Sequence, residues 1–294
     1  MKRLFLLAFI WGWSFLFIKV AVGGMSPPTV ACARVGLGGL TLHVILRMQG
    51  RRLPTDRATW RRFTIVAFLG SSLPFTMLAW GEERITSALT AVLNASTPLF
   101  TAIAAAVLLR DRLRPPQILG LGLGLAGVAV AAGLGSGDLA DSSIWGSLAS
   151  VGAGASYGLA FVYMRRHLTG IPPIVAATGQ LTMATVLLLP FAAATSVSTG
   201  IHVRPHRILA VLLLGVVGTG IAYILNYRIV GELGPTRASL VTYIIPVVAV
   251  AVGVAVLDEP FELRLLAGGV MIVAGIALVN ERLVARRALA DARR

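Results

Sequence analysis

Ten apolar runs follow one another along the chain, separated by short polar or charged stretches. Each run is about 20 residues long, which is the length of an α-helix that crosses a hydrocarbon core of ~30 Å. None shows the period-two alternation of a membrane β-strand, so the pattern predicts helices rather than a barrel. The predicted spans are 4–22, 28–48, 63–82, 86–109, 116–133, 144–164, 172–193, 207–229, 236–257 and 263–280.

The stretch 109–130, which contains the fifth span, recurs 148 residues later in the chain. This offset places Asp111 on Glu259, and it relates several glycines and prolines: Gly70 to Gly218, Pro98 to Pro246, Gly120 to Gly268 and Gly127 to Gly275. A shift of 146 places Trp11 on Tyr157. We therefore predict two copies of one five-span unit, 1–133 and 144–294, joined by the outside linker 134–143.

Five spans are an odd number, so the second copy must enter the membrane from the opposite side. Inverted repeats of this kind allow two nearly equivalent packings around a site near the midplane, one open to each side of the membrane. The expected fold class is all-α and integral to the membrane, with ten transmembrane helices as two inverted five-helix repeats. The expected mechanism is alternating access.

The composition agrees with a membrane protein. Hydrophobic residues make up 56% of the chain, charged residues only 13%, and the mean hydropathy is +0.84, whereas soluble domains carry about 25% charged residues. The formal charge of +14 could suggest a nucleic-acid partner. The basic residues lie in short loops between apolar runs, however, so the preference of positive loops for the cytoplasm explains them, and no nucleic-acid binding is expected.

The positions of Lys and Arg predict the orientation. With the N-terminus in the cytoplasm, 20 of these residues lie inside and five lie outside, so both termini are expected in the cytoplasm. Only the outside loop around 195–207 argues the other way. The first apolar run has a basic start like a signal peptide, but Lys19 follows it without a small-residue cleavage site, so we interpret this run as the first span.

The chain contains several short motifs, namely Trp11-Gly12-x-x-Phe15, Pro27-Pro28 followed by Arg34, the helix from Asn94 to Pro98, the turn Arg110-Asp111-Arg112-Leu113, and Leu257-Asp258-Glu259-Pro260. Together these motifs resemble the EamA family of the drug/metabolite transporter superfamily, in particular its bacterial amino-acid exporters of the YddG type. The resemblance covers essentially the whole chain. It implies a location in the bacterial inner membrane and export of amino acids, aromatic and other neutral ones included. Asp111 fills the family's acidic position after the fourth helix.

Motifs for nucleotide, metal or catalytic chemistry are weak or absent in the sequence. The only lysines are Lys2 and Lys19, and neither belongs to a phosphate-binding Walker loop. A Gly-x-Gly-x-x-Gly pattern at 122–127 lies inside a span, where small residues favour close helix packing. His202 and His206 have the spacing of two metal ligands, but a third ligand is not evident. We therefore expect no cofactor, no metal and no enzyme activity.

Arg34 is the strongest candidate for substrate binding. A charged side chain some six residues inside a span costs about 2.5–3.5 kcal/mol or more, and it normally faces a cavity or a partner. Its guanidinium could bind a substrate carboxylate through paired hydrogen bonds. Alternatively, it could reach outward to water or cap a neighbouring helix end and so have only a structural role.

Pro98 and Pro246 are candidate hinges because each removes the hydrogen bond to the carbonyl four residues earlier. The carbonyls in question belong to Asn94 and Thr242. Within a membrane such groups need other partners. They could bind a substrate ammonium group, or a neighbouring helix could satisfy them.

Polar stripes at helical spacing predict a common cavity. They contain Thr219, Tyr223 and Asn226 on the eighth span, Ser239, Thr242 and Tyr243 on the ninth, Gln180 and Thr182 on the seventh, and Ser72, Thr76 and Glu83 on the third. Trp11 and Tyr157 are expected to pack against an apolar substrate side chain. Asn94, Gln180, Tyr223, Asn226 and Tyr243 complete the predicted substrate-binding set. Glu83 is the candidate for ion coupling; another acid at the end of a helix and transport driven by the substrate gradient alone are the alternatives.

The sequence thus predicts a secondary transporter that exports amino acids from the cytoplasm by alternating access, with small-molecule substrates and membrane lipid as its partners. A broader efflux transporter for drugs or other metabolites is the alternative within transport. A non-transporting membrane scaffold on the same fold, and a channel, are alternatives of other classes. A monomer would already contain both repeats, so a dimer is neither required nor excluded.

Overall fold

The computed structural model describes residues 2–110, 113–134, 141–199, 204–233 and 241–291, and these residues fold predominantly into α-helices. Asp111, His202 and Ser239, as well as most of the predicted linker 134–143, lie outside the described residues. The helices are α1 Lys2–Val22, α2 Pro27–Met48, α3 Arg57–Glu82, α4 Ser87–Leu108, α5 Pro115–Ala131, α6 Asp141–His167, α7 Pro173–Thr199, α8 (the consecutive segments Pro205–Leu212, Leu213–Ile221 and Ala222–Leu233), α9 Val241–Leu257 and α10 Leu263–Asp291.

Seven of these helices are long and apolar enough to cross a membrane, and α5, α9 and α10 contribute shorter apolar stretches of 10–17 residues. Large apolar side chains such as Val107, Leu189 and Val247 are exposed on the outer surface. A surface of this kind is stable in lipid, where apolar groups need no shielding from water. The chain is therefore an integral membrane protein.

Prolines begin four helices, because the first helical N–H has no acceptor in any case and its loss costs little. Pro27, Pro115, Pro173 and Pro205 are the first residues of α2, α5, α7 and α8. Helix α3 begins differently, since the Asp56 carboxylate accepts a hydrogen bond of 2.8 Å from the backbone N–H of Thr59. This cap starts the helix at Arg57, six residues before the predicted start of the span at 63.

Two helices contain a π-helical stretch. In α3 it covers Phe68–Ser72, and in α8 it covers Leu213–Ile221. The two stretches contain Gly70 and Gly218, which the sequence offset of 148 relates. A π-helical turn inserts extra backbone into a helix and changes the direction of the side chains that follow, which is why such turns are frequent at functional sites.

Helix α4 is broken, whereas α9 is continuous. The first piece of α4 is Ser87–Asn94 and the second is Thr97–Leu108. Pro98 cannot donate to the carbonyl of Asn94, and the hydroxyl of Thr97 donates to it instead, at 2.7 Å. Pro246 lies inside α9. The two prolines, expected to act alike, are thus placed in different local structures.

Glycines allow helices α5 and α10 to approach each other closely. A methyl group added to Gly120 of α5 would lie 2.6 Å from the carbonyl oxygen of Gly275 in α10, and one added to Gly127 would lie 2.7 Å from that of Gly268. Both distances are too short for a side chain. Within the glycine pattern at 122–127, Gly124 and Gly127 serve helix packing, as the sequence predicts, whereas a methyl group on Gly122 would meet nothing within 4 Å.

The same kind of close approach joins α1 to α9 and α6 to α4. A methyl group on Gly12 would lie 2.6 Å from Cβ of Val248, and one on Gly158 would lie 2.8 Å from the backbone of Phe100. Helices α1, α2, α3, α4, α6, α7, α8 and α9 consequently surround a common interior space. Helices α5 and α10 pack mainly against each other beside it.

Candidate functional site

The interior space is a cavity of about 220 Å³. This volume corresponds to roughly seven water molecules at ~30 Å³ each, and it lies below the ~300–1,000 Å³ of pockets for drug-sized ligands. The cavity therefore suits a small metabolite. Seven of the eight predicted substrate-binding residues line it, namely Trp11, Arg34, Asn94, Tyr157, Gln180, Tyr223 and Asn226.

Arg34 enters the cavity wall from α2 and is only 7% exposed. Its Nε donates a hydrogen bond of 2.9 Å to the hydroxyl of Thr219, in the π-helical stretch of α8. Its Cζ lies 3.8 Å from the centroid of the Phe75 ring, which favours a cation. Within the described ranges no carboxylate lies within 4.0 Å of it. The guanidinium is a buried cation beside the cavity that has no anionic partner there.

Gln180 of α7 makes a hydrogen bond that matches the one from Arg34 to Thr219. Its Nε2 donates a hydrogen bond of 2.9 Å to the hydroxyl of Ser71, in the π-helical stretch of α3. Arg34 and Gln180 are 146 positions apart, and Ser71 and Thr219 are 148 apart. Each of the two π-helical stretches thus provides a hydroxyl acceptor for a long polar side chain of another helix. One of these side chains is charged and the other is neutral.

Asn94 supplies an acceptor that is not used within the protein. Its side-chain oxygen Oδ1 is buried and has no hydrogen-bond partner among the described residues, although a buried amide oxygen normally accepts hydrogen bonds. The residue ends the first piece of α4, so the helix break places it at the cavity. The backbone carbonyl of Asn94, which the sequence suggested as a ligand, already accepts from Thr97.

The rest of the wall is mainly apolar, and the cavity lining includes several aromatic rings. Trp11, Phe15, Phe75, Tyr157 and Phe161 line the cavity, and the rings of Phe75 and Tyr157 pack edge to face with their centroids 6.2 Å apart. Aromatic rings provide a large apolar surface, and Tyr and Trp add a polar group at one edge. The cavity can therefore hold an apolar group next to polar and charged ends.

Two predicted residues lie elsewhere. Tyr243 lines a separate, apolar crevice of about 750 Å³ between α4, α9 and α10. Glu83 does not line the cavity; its side chain is 32% exposed, and its carboxylate forms an ion pair with Arg84 at 3.0 Å. The third-helix stripe of Ser72 and Thr76 also lies outside the cavity lining.

Two acids that the sequence patterns did not indicate as functional residues are buried in the structure. Glu82, the residue before Glu83, is 0% exposed. Glu259 lies between α9 and α10, where its carboxylate accepts hydrogen bonds from the backbone N–H groups of Ser87 and Ala88 at 2.7 and 3.0 Å. It also accepts one from the Ser87 hydroxyl at 3.0 Å. Glu259 thereby stabilises the start of α4, since a helix N-terminus favours a negative charge. The offset of 148 residues, which places Asp111 on Glu259, was the sequence feature that could have indicated this residue.

Metal binding finds no support in the described part of the chain, which contains no group of three or more His, Cys, Asp or Glu side chains placed to hold an ion. His206 is exposed at the start of α8. The single cysteine, Cys32, is buried in α2. The site is therefore characterised by one cation, amides, hydroxyls and aromatic rings.

Comparison with protein families gives a match over nearly the whole chain. The model of the EamA-like transporter family matches residues 3–133 and 144–281. The chain belongs to this family. As an EamA-like protein it is a membrane transporter and not an enzyme, and it acts on a small-molecule substrate in a lipid environment.

Several relatives in the family cover almost the same length. The "Uncharacterized transporter YvbV" of Bacillus subtilis is 27% identical over 97% of this chain and 93% of its own length. The "Probable terminal-alkyne amino-acid exporter" of Streptantibioticus cattleyicolor is 27% identical over 94% of this chain and 92% of its own length. A solved structure, "Crystal structure of protein", is 22% identical with a TM-score of 0.66 and covers 98% of this chain and 97% of that one. This last similarity concerns the fold alone.

Proposed function

We propose that this EamA-like transporter exports neutral amino acids, aromatic ones included, from the cytoplasm by alternating access. The observation that carries the proposal is Arg34. It is a buried cation beside an aromatic cavity, and no carboxylate of the described residues lies within 4.0 Å of it. A charged group inside a membrane protein is costly, and it usually marks a substrate or ion pathway.

An amino acid carries groups that complement two polar groups of the cavity wall, the guanidinium of Arg34 and Oδ1 of Asn94. Its carboxylate accepts hydrogen bonds from the Arg34 guanidinium, whose planar donors match a carboxylate well. Its ammonium group donates to Oδ1 of Asn94, which lacks a partner in the described structure. The aromatic side chains of the wall then surround the apolar side chain. Gln180 has a different role, because its amide already donates to Ser71.

The transport mechanism rests on ten spans arranged as two inverted halves, 1–133 and 144–294. Paired contacts support this arrangement. The approach of Gly120 to Gly275 has its counterpart in that of Gly127 to Gly268, as expected when an offset of 148 exchanges the two sides of the contact. The left-handed residues Arg110 and Asp258, with φ of 57° and 52°, are also 148 positions apart. Two equivalent halves provide the two packings that alternating access requires.

The orientation of the chain and the substrate class have separate support. Twenty basic residues on one side against five on the other support a topology with both termini in the cytoplasm of a bacterial cell. The named amino-acid exporter among the relatives supports amino acids as the cargo. Both halves are present in one chain, so a monomer is sufficient for transport, and a dimer is compatible with it.

The test is counterflow in proteoliposomes that contain the purified protein and an unlabelled neutral amino acid, with the same labelled amino acid outside. Saturable, counterflow-stimulated uptake is expected for the wild type, and Arg34→Ala should abolish it. Arg84→Ala is the matched control, because Arg84 also stacks on an aromatic ring, that of Trp80 at 3.6 Å, but does not line the cavity. Absence of counterflow for every neutral amino acid, or full activity of Arg34→Ala, would contradict the proposal.

A further inference from the structure

Glu82 ends helix α3 with a fully buried side chain. Neither oxygen of its carboxyl group has a hydrogen-bond partner among the described residues. A buried carboxylate without donors is strongly disfavoured, because it has lost its hydration and gained nothing in exchange. A proton removes the charge and with it most of this penalty.

The groups around Glu82 do not provide an ion pair. From α1, Nζ of Lys19 donates to the backbone carbonyl oxygens of Glu82 and Ile85, at 2.5 and 2.8 Å. No cation of the described residues lies within 4.0 Å of the Glu82 carboxylate. Lys19 is thus engaged by the backbone of the turn between α3 and α4, and the acid beside it stays without a direct partner.

The other charged groups that act on Glu82 come from three places. Arg34 of α2 provides a positive charge from the cavity wall, and Glu259, between α9 and α10, provides a negative one. On the same turn, Glu83 and Arg84 form an ion pair with each other. Helix α6 approaches this end of α3 with Gly146 and Ser150, which carry no charge. Glu82 is therefore the one buried acid here that lacks its own donors, since Glu259 accepts three hydrogen bonds.

We propose that Glu82 is the proton-binding site that couples export to an opposite flow of protons, an inference that rests on the proposed transport function. With Glu82 protonated, the arrangement seen here is stable, and the empty carrier can return to the cytoplasmic side. Once the carrier faces the cytoplasm, the carboxyl group releases its proton to cytoplasmic water as the amino acid binds, which leaves a buried carboxylate in the loaded carrier. That charge favours opening of this end of α3 to the outside, where the carboxylate takes up a new proton.

Transport under two conditions tests the coupling. Wild-type proteoliposomes should accumulate a neutral amino acid against its gradient when the lumen is more acidic than the outside medium. Glu82→Gln should keep counterflow at equal pH and lose the gradient-driven accumulation, because glutamine resembles the protonated acid but releases no proton. Glu83→Gln is the matched control and should keep both activities. Gradient-driven accumulation by Glu82→Gln, or wild-type counterflow with no response to a pH gradient, would overturn the coupling role.

An infrared measurement tests the proton site without any transport. A protonated carboxyl group has a C=O stretching band that a carboxylate lacks. The wild type and Glu83→Gln should both show such a band at neutral pH, and Glu82→Gln should lack it. If the wild type shows no such band, Glu82 is ionised and the inference is wrong. If the band is present but no amino acid shows counterflow, the proton site stands and the proposed cargo fails.

A second variant, Glu82→Asp, tests the inference in case Glu82→Gln does not fold. Glu82→Asp keeps an ionisable carboxyl group at the same place, so it should retain both the infrared band and a response to the pH gradient. A folded Glu82→Asp protein that shows neither property would also overturn the inference.

Discussion

The polar contacts of the cavity come in two versions that share a geometry and differ in charge. In one, Arg34 donates to Thr219, and in the other, Gln180 donates to Ser71, both at 2.9 Å. Each donor belongs to one of the two stretches that the family model matches, 3–133 and 144–281, and each acceptor belongs to the other. The two contacts thus share their geometry, whereas only one of them contains a cation. Under the proposed function, a substrate carboxylate would therefore bind at the Arg34 contact and not at the Gln180 contact.

The largest effect is expected when Arg34 is replaced by a neutral side chain, so that both contacts are uncharged. Arg34→Gln keeps a donor for Thr219 but removes the cation, and hydrogen bonds to charged groups contribute about 1.5–3 kcal/mol. For neutral amino acids kcat/KM should fall by about 100-fold, which corresponds to ~2.7 kcal/mol. Counterflow kinetics of the variant and the wild type measure this change. Similar kcat/KM values in both proteins would show that the cation does not bind the carboxylate.

Removing the acceptor hydroxyl should destabilise the protein more at the Arg34 contact than at the Gln180 contact. Thr219→Val leaves a buried charged donor without its partner, a loss of about 1.5–3 kcal/mol, whereas Ser71→Ala removes a bond between neutral groups, worth about 0.5–1.5 kcal/mol. The melting temperature in detergent should therefore fall further for Thr219→Val. If both variants melt alike, the Arg34 contact is no stronger than the neutral one.

Alanine substitutions at the glycine contacts between α5 and α10 should destabilise the protein equally on either helix. Gly120→Ala and Gly268→Ala each place a methyl group 2.6 Å from a backbone oxygen of the partner helix, and overpacking of this kind costs about 1–3 kcal/mol. Gly122→Ala is the control, because a methyl group there meets nothing within 4 Å. Melting temperatures of the three variants check this. A loss confined to one of the two sites would contradict the proposed equivalence of the halves.

The smallest effect concerns the starts of α3 and α8, which are again 148 positions apart. Asp56 caps α3 through Thr59, whereas Arg204 precedes α8 without a side-chain cap. The hydrogen bonds from Thr59 lower the pKa of the exposed Asp56 carboxyl below its usual 3.8. The cap therefore contributes fully at neutral pH and is lost as the pH falls through this lowered value.

Hydrogen–deuterium exchange at neutral pH checks the cap directly. Asp56→Ala should speed exchange in the first turn of α3 and leave the first turn of α8 unchanged. Asp56→Asn, which keeps an oxygen acceptor, should restore protection at α3 and remove its loss in acid. Equal exchange at α3 in the wild type and in Asp56→Ala would show that the cap is without effect.

Most of the predicted substrate-binding residues line the cavity, because polar residues at helical spacing share one face of a helix. Thr219, Tyr223 and Asn226 share a face at i, i+4 and i+7, and all three lie at or beside the cavity. Tyr243 lies at another crevice, because the rotation of α9 about its own axis depends on its packing against α1 and α4, and the sequence alone does not determine it.

The predicted stripe of Ser72, Thr76 and Glu83 on α3 does not line the cavity, and this difference has a specific physical cause. The π-helical stretch Phe68–Ser72 changes the phase of the helix, so that Ser71, and not Ser72, contacts Gln180. A regular helix of 3.6 residues per turn cannot reproduce this shift. The same one-residue uncertainty, about 100° of rotation, separates the exposed Glu83 from the buried Glu82. At Pro98, where α4 breaks, the hydroxyl of Thr97 donates to the carbonyl of Asn94, and the sequence alone did not predict this contact.

An experimental structure with a bound neutral amino acid, such as an aromatic one, tests the central claim most directly. The account predicts that the ligand lies in the central cavity with its carboxylate within hydrogen-bond distance of the Arg34 guanidinium. Its ammonium group should contact Oδ1 of Asn94, and its side chain should pack among the aromatic rings. A ligand bound in the crevice beside Tyr243, or one in the cavity with its carboxylate away from Arg34, would contradict the account.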